Sequence, residues 1–217
     1  MTKIMLNLPF YKNTGDGNQC AVIAIKIAAK HFLEKSYSLK KLDKLIGRPP
    51  GKWTWNEQII TGMDKIGLEA KYYGNVDVKK LLDGKKFILK RYGKSAKKIL
   101  SKINLPAVKR SAKYVIKNNL VEKRKLTPRE IEAHIKKGHI AVLPVNWNII
   151  KKRKGLYQGH MLVLTGFDKN NIYCHNSGPH NPEKNMKINK KLFLKGWNAP
   201  EISSDIIIVF GKKNTTP

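Results

Sequence analysis

The chain has 217 residues, 41% of them hydrophobic, so it is long and apolar enough to fold as one domain, or as one domain with a large insertion. Its 44 lysines and arginines outnumber its 15 aspartates and glutamates and give a formal net charge of +29. The lysines are dispersed, and no zinc-finger or RNA-recognition motif accompanies them. The charge therefore favours non-specific, salt-sensitive polyanion binding, or only a biased genome composition, over sequence-specific nucleic-acid recognition.

The amino-terminal ten residues contain too short an apolar run for a signal peptide and lack a small-residue cleavage site. No segment approaches the length of a membrane span. The two cysteines, Cys20 and Cys174, could form one disulfide, but without an export signal we expect both to stay free in a reducing compartment. The sequence therefore predicts a cytoplasmic protein.

A buried helix is predicted over residues 20–33, because nearly every residue there is apolar and the exceptions Lys26, Lys30 and Glu34 recur every four positions. Cys20 stands at its first turn, where the helix dipole favours an anion and lowers the pKa of a thiol. A cysteine nucleophile needs such a position. A lone cysteine is nevertheless more often a small buried hydrophobe, so this interpretation depends on partners elsewhere in the chain.

The other elements of the first 125 residues are short and broken by glycine and proline. Trp53 and Trp55 could shape a substrate groove, although anchoring the preceding turn is the commoner role of such residues. The predicted elements are a strand over 4–8, a loop over 11–18, a helix from Ser38 to Leu45, a helix from Asn56 to Gly67, an edge strand over 68–73 and a lysine-rich helical insertion at about 75–125.

The sequence patterns that predict secondary structure are clearer after residue 125. A capping box over Thr127–Glu130 with proline at the first helical position starts a helix that ends at Gly138. Helices therefore come first and strands second, which predicts an α+β domain with an antiparallel sheet packed on the early helix. The four apolar runs that predict strands are residues 140–145, 161–165, 171–174 and 206–210.

A tight hairpin turn is predicted over residues 168–171, and it places two polar side chains together. In an antiparallel pair turning there, His160 and Asn176 lie at the same end of the ladder, close to opposite each other. Alone, a histidine entering a strand is more often structural than catalytic. Together with Cys20, however, the pair supplies a nucleophile, a base and an orienting amide. His160 follows Cys20 by 140 positions, which also falls within the interval of about 130 to 150 typical of papain-type enzymes.

A zinc site is the alternative use of these side chains. Cys174 and His175 are neighbours on a predicted strand and face opposite sides, so that one could lie in the core and the other in a cleft. With Cys20, His160 and His180 they could supply ligands, but no C-x-x-C or H-x-x-x-H spacing occurs. We therefore expect neither a metal nor another cofactor.

Four stretches of the chain resemble the bacteriocin-processing (double-glycine) cysteine peptidase family, and in particular the stand-alone peptidase-like domains of the papain-like superfamily. This resemblance implies a single papain-like peptidase domain over residues 1–217, with Cys20 as nucleophile, His160 as general base and Asn176 as orienting residue. It also implies a peptide or protein substrate and no cofactor. The four stretches are residues 8–13, 18–21, 159–168 and 175–179, and the segment over 127–146 adds to the likeness.

The sequence departs from the family pattern at two places. Ala21 follows the cysteine where the family usually has glycine. The family's oxyanion-hole glutamine is matched by Asn13, which keeps the amide donor on a shorter arm, and Gln19 beside the nucleophile is a second candidate. A side-chain donor at such a site typically lowers the barrier by about 3 kcal/mol, so its loss leaves a slow enzyme.

The favoured function is a cysteine peptidase-like hydrolase that cleaves peptide bonds through a Cys-His-Asn triad. One alternative is a non-catalytic binding module on the same fold, whose basic surface binds acidic protein or nucleic acid. Another is a thiol-dependent acyl transferase or deamidase, because a triad determines the acyl chemistry without determining the acceptor.

Overall fold

A sheet of eight strands runs through the protein in a computed structural model, which describes residues 3–75, 77–155 and 157–214. The strands are β1 (Ile4–Met5), β2 (Leu68–Tyr73), β3 (Val121–Glu122), β4 (Ile140–Asn146), β5 (Gly159–Phe167), β6 (Asn171–Asn176), β7 (Glu183–Asn189) and β8 (Ile206–Lys212). The α-helices are α1 (Cys20–Leu33), α2 (Leu39–Leu45), α3 (Asn56–Lys65), α4 (Lys85–Tyr92), α5 (Ala96–Lys102), α6 (Leu105–Lys117), α7 (Pro128–Lys136), α8 (Trp147–Ile150) and α9 (Lys190–Trp197). Two 3-10 helices span Val78–Asp83 and Gly93–Ser95.

The strand order is β3-β2-β8-β4-β5-β6-β7, and β1 pairs with β5. Every pairing is antiparallel except the short parallel contact of β3 with β2. The apolar strands β4, β5 and β8 occupy the middle because helices cover both of their faces, as their continuous hydrophobic sequences require.

Alternate residues of β4 face two separate hydrophobic cores. Ile140 and Val142 pack in the core that contains α1, α3 and α6, whereas Ala141 and Leu143 pack in the core that contains α7 and α9. Helix α1 lies within the first core, with all but a thin stripe of its surface buried. The prediction of an α+β fold whose early helix packs on an antiparallel sheet is therefore confirmed.

Predictions of local structure are confirmed where a short sequence motif determines a cap or a turn. The helix at Thr127 has the full capping box, with Glu130 accepting from the Thr127 backbone N–H at 2.7 Å. Ser38 caps α2 by accepting from the backbone N–H of Lys41 at 3.2 Å. The turn after β5 closes with the Asp168 N–H donating to the Asn171 carbonyl at 3.0 Å.

Three strand predictions need correction. Strand β2 is not an edge, because β3 pairs beside it with Tyr72 opposite Val121; β3 is too short to have a signal of its own. Strand β1 is two residues long and not five, because the chain leaves the sheet after the Leu6 N–H donates to the Thr165 carbonyl at 2.6 Å. Strand β7 was not predicted, since its apolar residues Met186 and Ile188 alternate with polar ones in a charged segment.

Helices fill the lysine-rich segment from residue 78 to residue 117. Four of its apolar side chains form a small core of their own, against which Trp53, Trp55 and Tyr157 pack. That this segment is an insertion into a single domain stays a prediction. In the part of the chain described, none of the helices combines the length and the apolar character needed to cross a membrane.

Candidate active site

Cys20 is the first residue of α1 and is half-buried. The residue before it makes no side-chain capping hydrogen bond, so the first-turn N–H groups are left to act on the thiol. The backbone N–H groups of Ala21 and Met161 both act on the sulfur and lower its pKa. The strand that carries Met161 therefore brings the preceding residue, His160, to the same sulfur.

His160 lies near the start of β5, opposite Val145 on β4. Beyond Val145 the chain turns into α8, and the ring of Trp147 packs against the imidazole with 4.4 Å between ring centroids. This contact shields His160 from solvent and fixes the plane of its ring. The sequence alone does not predict a role for Trp147, because no sequence motif links it to His160.

Asn176 ends β6, is only 1% exposed and lies 2.9 Å from His160, measured from Oδ1 to Nε2. Its Nδ2 donates to the Asn181 carbonyl at 2.9 Å, and its Oδ1 also accepts from the Gly178 N–H at 3.1 Å. These two contacts orient the amide so that its oxygen faces the imidazole. His160 must then carry a proton on Nε2, which leaves Nδ1 for the thiol.

The surroundings of the two cysteines shift their thiol pKa values in opposite directions. Burial raises the pKa of Cys20, but the hydrogen bond from His160, the charge of His160 and the two backbone N–H groups outweigh burial and lower the pKa below its usual value. Burial raises the pKa of Cys174 far above that of a free thiol. Both are free thiols, and of the two only Cys20 has a lowered pKa.

The two predicted oxyanion-hole residues, Asn13 and Gln19, are not among the described residues that line the cleft at Cys20. Gln19 turns away and donates from Nε2 to Asp43 at 2.6 Å. The backbone N–H of Asn13 donates to the Ser177 carbonyl at 2.7 Å, and its side-chain amide is buried with no partner in the described chain.

A buried arginine holds the loop in front of the nucleophile. The Arg48 guanidinium contacts both carboxylate oxygens of Asp16 at 2.6 Å and lies 3.2 Å from Asp43. Asp16 also accepts from the Asn18 N–H, so the loop that ends at Gln19 is held at two points. The sequence indicated only a helix break at residues 47–51, and nothing in it linked Arg48 to the loop.

The three predicted triad residues line one cleft of about 580 Å³. Trp53 and Trp55 form part of its wall, and the Trp53 indole also donates to Asn18 at 3.0 Å. His175 does not line it, against the prediction that one of the neighbours Cys174 and His175 could. Its Nε2 lies 3.3 Å from the Leu8 carbonyl, and its Nδ1 accepts from a backbone N–H of the next strand. Among the described side chains, no group of three or more His, Cys, Asp or Glu is arranged to hold a metal ion.

Asn176→Ala is expected to lower the alkylation rate of Cys20 at pH 6.5 by about tenfold, because an imidazole without its anchor no longer holds the proton of the thiol. Peptide mass spectrometry after a short iodoacetamide pulse measures this rate. Asn118→Ala, at an exposed position immediately after α6, is the matched control and should leave the rate unchanged. An unchanged rate in Asn176→Ala contradicts the orienting role.

Comparisons with known proteins identify the family and the fold. The model of the Peptidase_C39 like family matches residues 5–202. A crystal structure of a putative C39-like peptidase from Bacillus anthracis is 14% identical, with a TM-score of 0.58 over 99% of this chain and 100% of that one. No curated protein matches the sequence.

Two further solved structures each have a TM-score of 0.49. The peptidase domain of Streptococcus ComA, a bifunctional ABC transporter involved in a quorum-sensing pathway, is 16% identical over 94% of this chain and 98% of that one. A double-glycine-motif protease from an AMS/PCAT transporter, solved with its leader peptide, is 12% identical over 96% and 99%. The match of the family model over nearly the whole chain shows that this protein belongs to the Peptidase_C39 like family.

Proposed function

We propose that the protein is a cysteine peptidase that cleaves peptide bonds with Cys20 as nucleophile, His160 as general base and acid, and Asn176 as orienting residue. The observation that carries this proposal is that Cys20, His160 and Asn176 line one cleft, where Asn176 hydrogen-bonds His160 and His160 lowers the pKa of Cys20. Membership of a peptidase-like family supports it. A thiol of lowered pKa beside an imidazole is the arrangement that nucleophilic catalysis needs.

In the proposed reaction, the Cys20 thiolate attacks the carbonyl carbon and the His160 imidazolium gives its Nδ1 proton to the leaving nitrogen. The C–N bond breaks, the amine departs, and a thioester joins the acyl group to Cys20. Water then attacks the thioester while His160 takes a proton from it. The C–S bond breaks and the carboxylic acid leaves, so that the enzyme is regenerated.

The oxyanion needs donors on the side of the attacked carbonyl. We propose the backbone N–H at the start of α1 for this role, because the first turn of a helix has no internal acceptors. Of the two side-chain candidates, Gln19 is already committed to Asp43, whereas the Asn13 amide has no partner among the described residues. Asn13 is therefore the candidate with an uncommitted amide, but its side chain would have to turn toward the cleft, which it does not line, to act as a second donor.

The proposed substrate is a peptide or a protein segment, since a cleft of about 580 Å³ has room for several side chains. The two free thiols support a reducing compartment such as the cytoplasm. The same acyl-enzyme could pass its acyl group to an amine, or be formed from a side-chain amide, so transfer and deamidation use the same residues.

A second candidate function rests on the net charge of +29. Most of the lysines are exposed, and a surface of this charge attracts polyanions in a salt-dependent manner. The fold could then serve as a binding module for acidic protein or nucleic acid, with the triad unused. The reactivity of Cys20 separates the two functions.

Iodoacetamide alkylation of Cys20 is expected to proceed below pH 7, and His160→Ala is expected to move its pH profile upward by about one unit or more. The reason is that the imidazole supplies both the hydrogen bond and the charge that lower the pKa of Cys20. Mass spectrometry separates Cys20 from Cys174, which should stay unreactive in the folded protein because it is buried.

His180→Ala is the matched control, because His180 lines the same cleft but is exposed. This variant should keep the wild-type profile. If Cys20 titrates like an ordinary thiol in the wild type and in both variants, the peptidase proposal fails and polyanion binding becomes the leading function.

A further inference from the structure

The lining of the cleft has the opposite charge balance to the rest of the chain. Its described residues include three carboxylates, Asp16, Glu201 and Asp205, against one lysine, Lys98. In the whole sequence, basic residues outnumber acidic ones by 44 to 15. Asp16 is paired with Arg48, so the unmatched negative charge lies with Asp205 and Glu201.

Asp205 is rigidly held, and the only described cation that acts on it, Arg91, does so through its charge and without an ion pair. It is 6% exposed and stands immediately before β8, where its backbone carbonyl accepts from the Trp197 indole at 2.8 Å. Its Oδ2 accepts from Asn56 Nδ2 at 3.2 Å, while Oδ1 has no partner of hydrogen-bonding geometry in the described chain. Within that same part of the chain, it forms no ion pair with a lysine or arginine.

The hydrogen bonds of Arg91 go to other groups. Arg91 donates from one nitrogen to the Glu201 carbonyl at 3.2 Å and to Ser203 Oγ at 3.0 Å. Glu57, whose pKa the charge of Asp205 helps to raise, is 1% exposed and has one carboxylate oxygen buried and unpartnered in the described residues. Burial raises the pKa of Asp205 to about 7, against the lowering influence of Arg91, Tyr72 and Asn56. The carboxyl therefore holds a proton where a bound cation could replace it.

Aromatic rings line the same cleft as this carboxylate. Trp55 and Tyr92 meet edge to face with 5.9 Å between centroids, and Tyr92 lies 6.2 Å from Tyr157. All three rings line the cleft with Asp205. The faces of such rings attract cations and accommodate the methylene stem of a long basic side chain.

We propose that the Asp205 end of the cleft is a subsite for a cationic side chain, lysine or arginine, of the peptide on which Cys20 acts. This inference rests on the proposed peptidase function, because the same cleft holds the thiol. The carboxylate of Asp205 pairs with the cation, and Trp55, Tyr92 and Tyr157 pack around its stem. An acidic subsite in so basic a protein selects basic substrate segments against the long-range repulsion of the surface.

The test uses the full chain with Cys20→Ala, so that binding is measured without any chemistry. Two acetylated pentapeptide amides serve as probes, Ala-Ala-Lys-Ala-Ala and its norleucine counterpart, which differ in charge but hardly in shape. Tryptophan fluorescence or NMR titration at pH 8 should show the lysine peptide binding about tenfold more tightly. The preference should vanish in Cys20→Ala with Asp205→Asn and persist in Cys20→Ala with Glu69→Gln, which removes an exposed carboxylate on β2.

Equal binding of the two peptides, or a lysine preference that survives Asp205→Asn, overturns the subsite. Should Asp205→Asn fail to fold, the Cys20→Ala protein is compared at pH 8 and pH 5, because protonation of Asp205 at pH 5 must abolish the preference. A preference equal at both pH values overturns it as well. Failure of the peptidase function is distinguishable, since it appears in the alkylation profile of Cys20 and leaves this preference intact.

Discussion

Arg48→Met is expected to lower the free energy of unfolding by about 3–5 kcal/mol. The Arg48 side chain is fully buried, and its guanidinium faces Asp16 and Asp43. Removing the cation leaves two carboxylates in a poorly solvated place without their partner, which costs far more than the pair itself contributes. Urea denaturation followed by circular dichroism measures the loss.

Arg124→Met is a matched control, because Arg124 also bridges two carboxylates, Glu122 and Glu130, but with 44% of its side chain exposed. Exposed pairs contribute about 0–1 kcal/mol, so this variant should remain near wild-type stability. Equal losses in the two variants contradict the argument that burial makes Arg48 important.

The same substitution is informative about the site. Arg48 orders the loop from Asp16 to Gln19 that leads into α1, so a folded Arg48→Met protein should also alkylate Cys20 more slowly. Arg48 does not touch the sulfur and acts by positioning the loop. A control for global loosening is Cys174, which should stay unreactive in the same sample.

The candidate site could be predicted from the sequence where local signals and simple geometry determine it. The turn at residues 168–171 sets the hairpin, and the hairpin alone predicts that His160 and Asn176 meet, as the 2.9 Å contact shows. The apolar run after Cys20 likewise predicts a buried helix with the thiol at its first turn. Neither inference needs a contact between distant segments.

Other parts of the site depend on contacts between distant segments that leave no trace in the sequence. Asn56 and Asp205 are 149 residues apart and meet only because α3 lies beside the start of β8. The sequence alone does not show whether the Gln19 amide donates to Asp43 or to the oxyanion, since either acceptor would satisfy its hydrogen-bonding capacity. The buried acids likewise resemble ordinary surface residues until the fold encloses them.

Glu57→Gln is expected to stabilise the protein at pH 9 by about 3 kcal/mol or more, since one pKa unit corresponds to about 1.4 kcal/mol. Burial raises the pKa of Glu57 to about 8, and the neighbouring Asp205 adds to the rise. A carboxyl with a higher pKa in the folded state binds its proton more tightly there than in the unfolded chain. Its effect on stability is therefore absent at low pH and becomes unfavourable as the pH rises from about 4.5 to about 8.

Histidines act in the opposite direction and must be separated from this effect. Burial lowers the pKa of four of them, so they favour the folded state as the pH rises toward about 6.5. Above pH 7 they are neutral in both states and contribute no slope. The four are His31, His134, His139 and His175.

Urea denaturation at pH 7, 8 and 9 then isolates the buried acids. The wild type should lose about 1–2 kcal/mol across this interval, and Glu57→Gln should lose much less, because an uncharged amide of the same shape has no proton to release. Glu34→Gln, at an exposed position after α1, should follow the wild type. Parallel curves for wild type and Glu57→Gln contradict the protonated state of Glu57. That result would also contradict the view that the carboxyl groups near the Asp205 end of the cleft stay protonated until a cation binds.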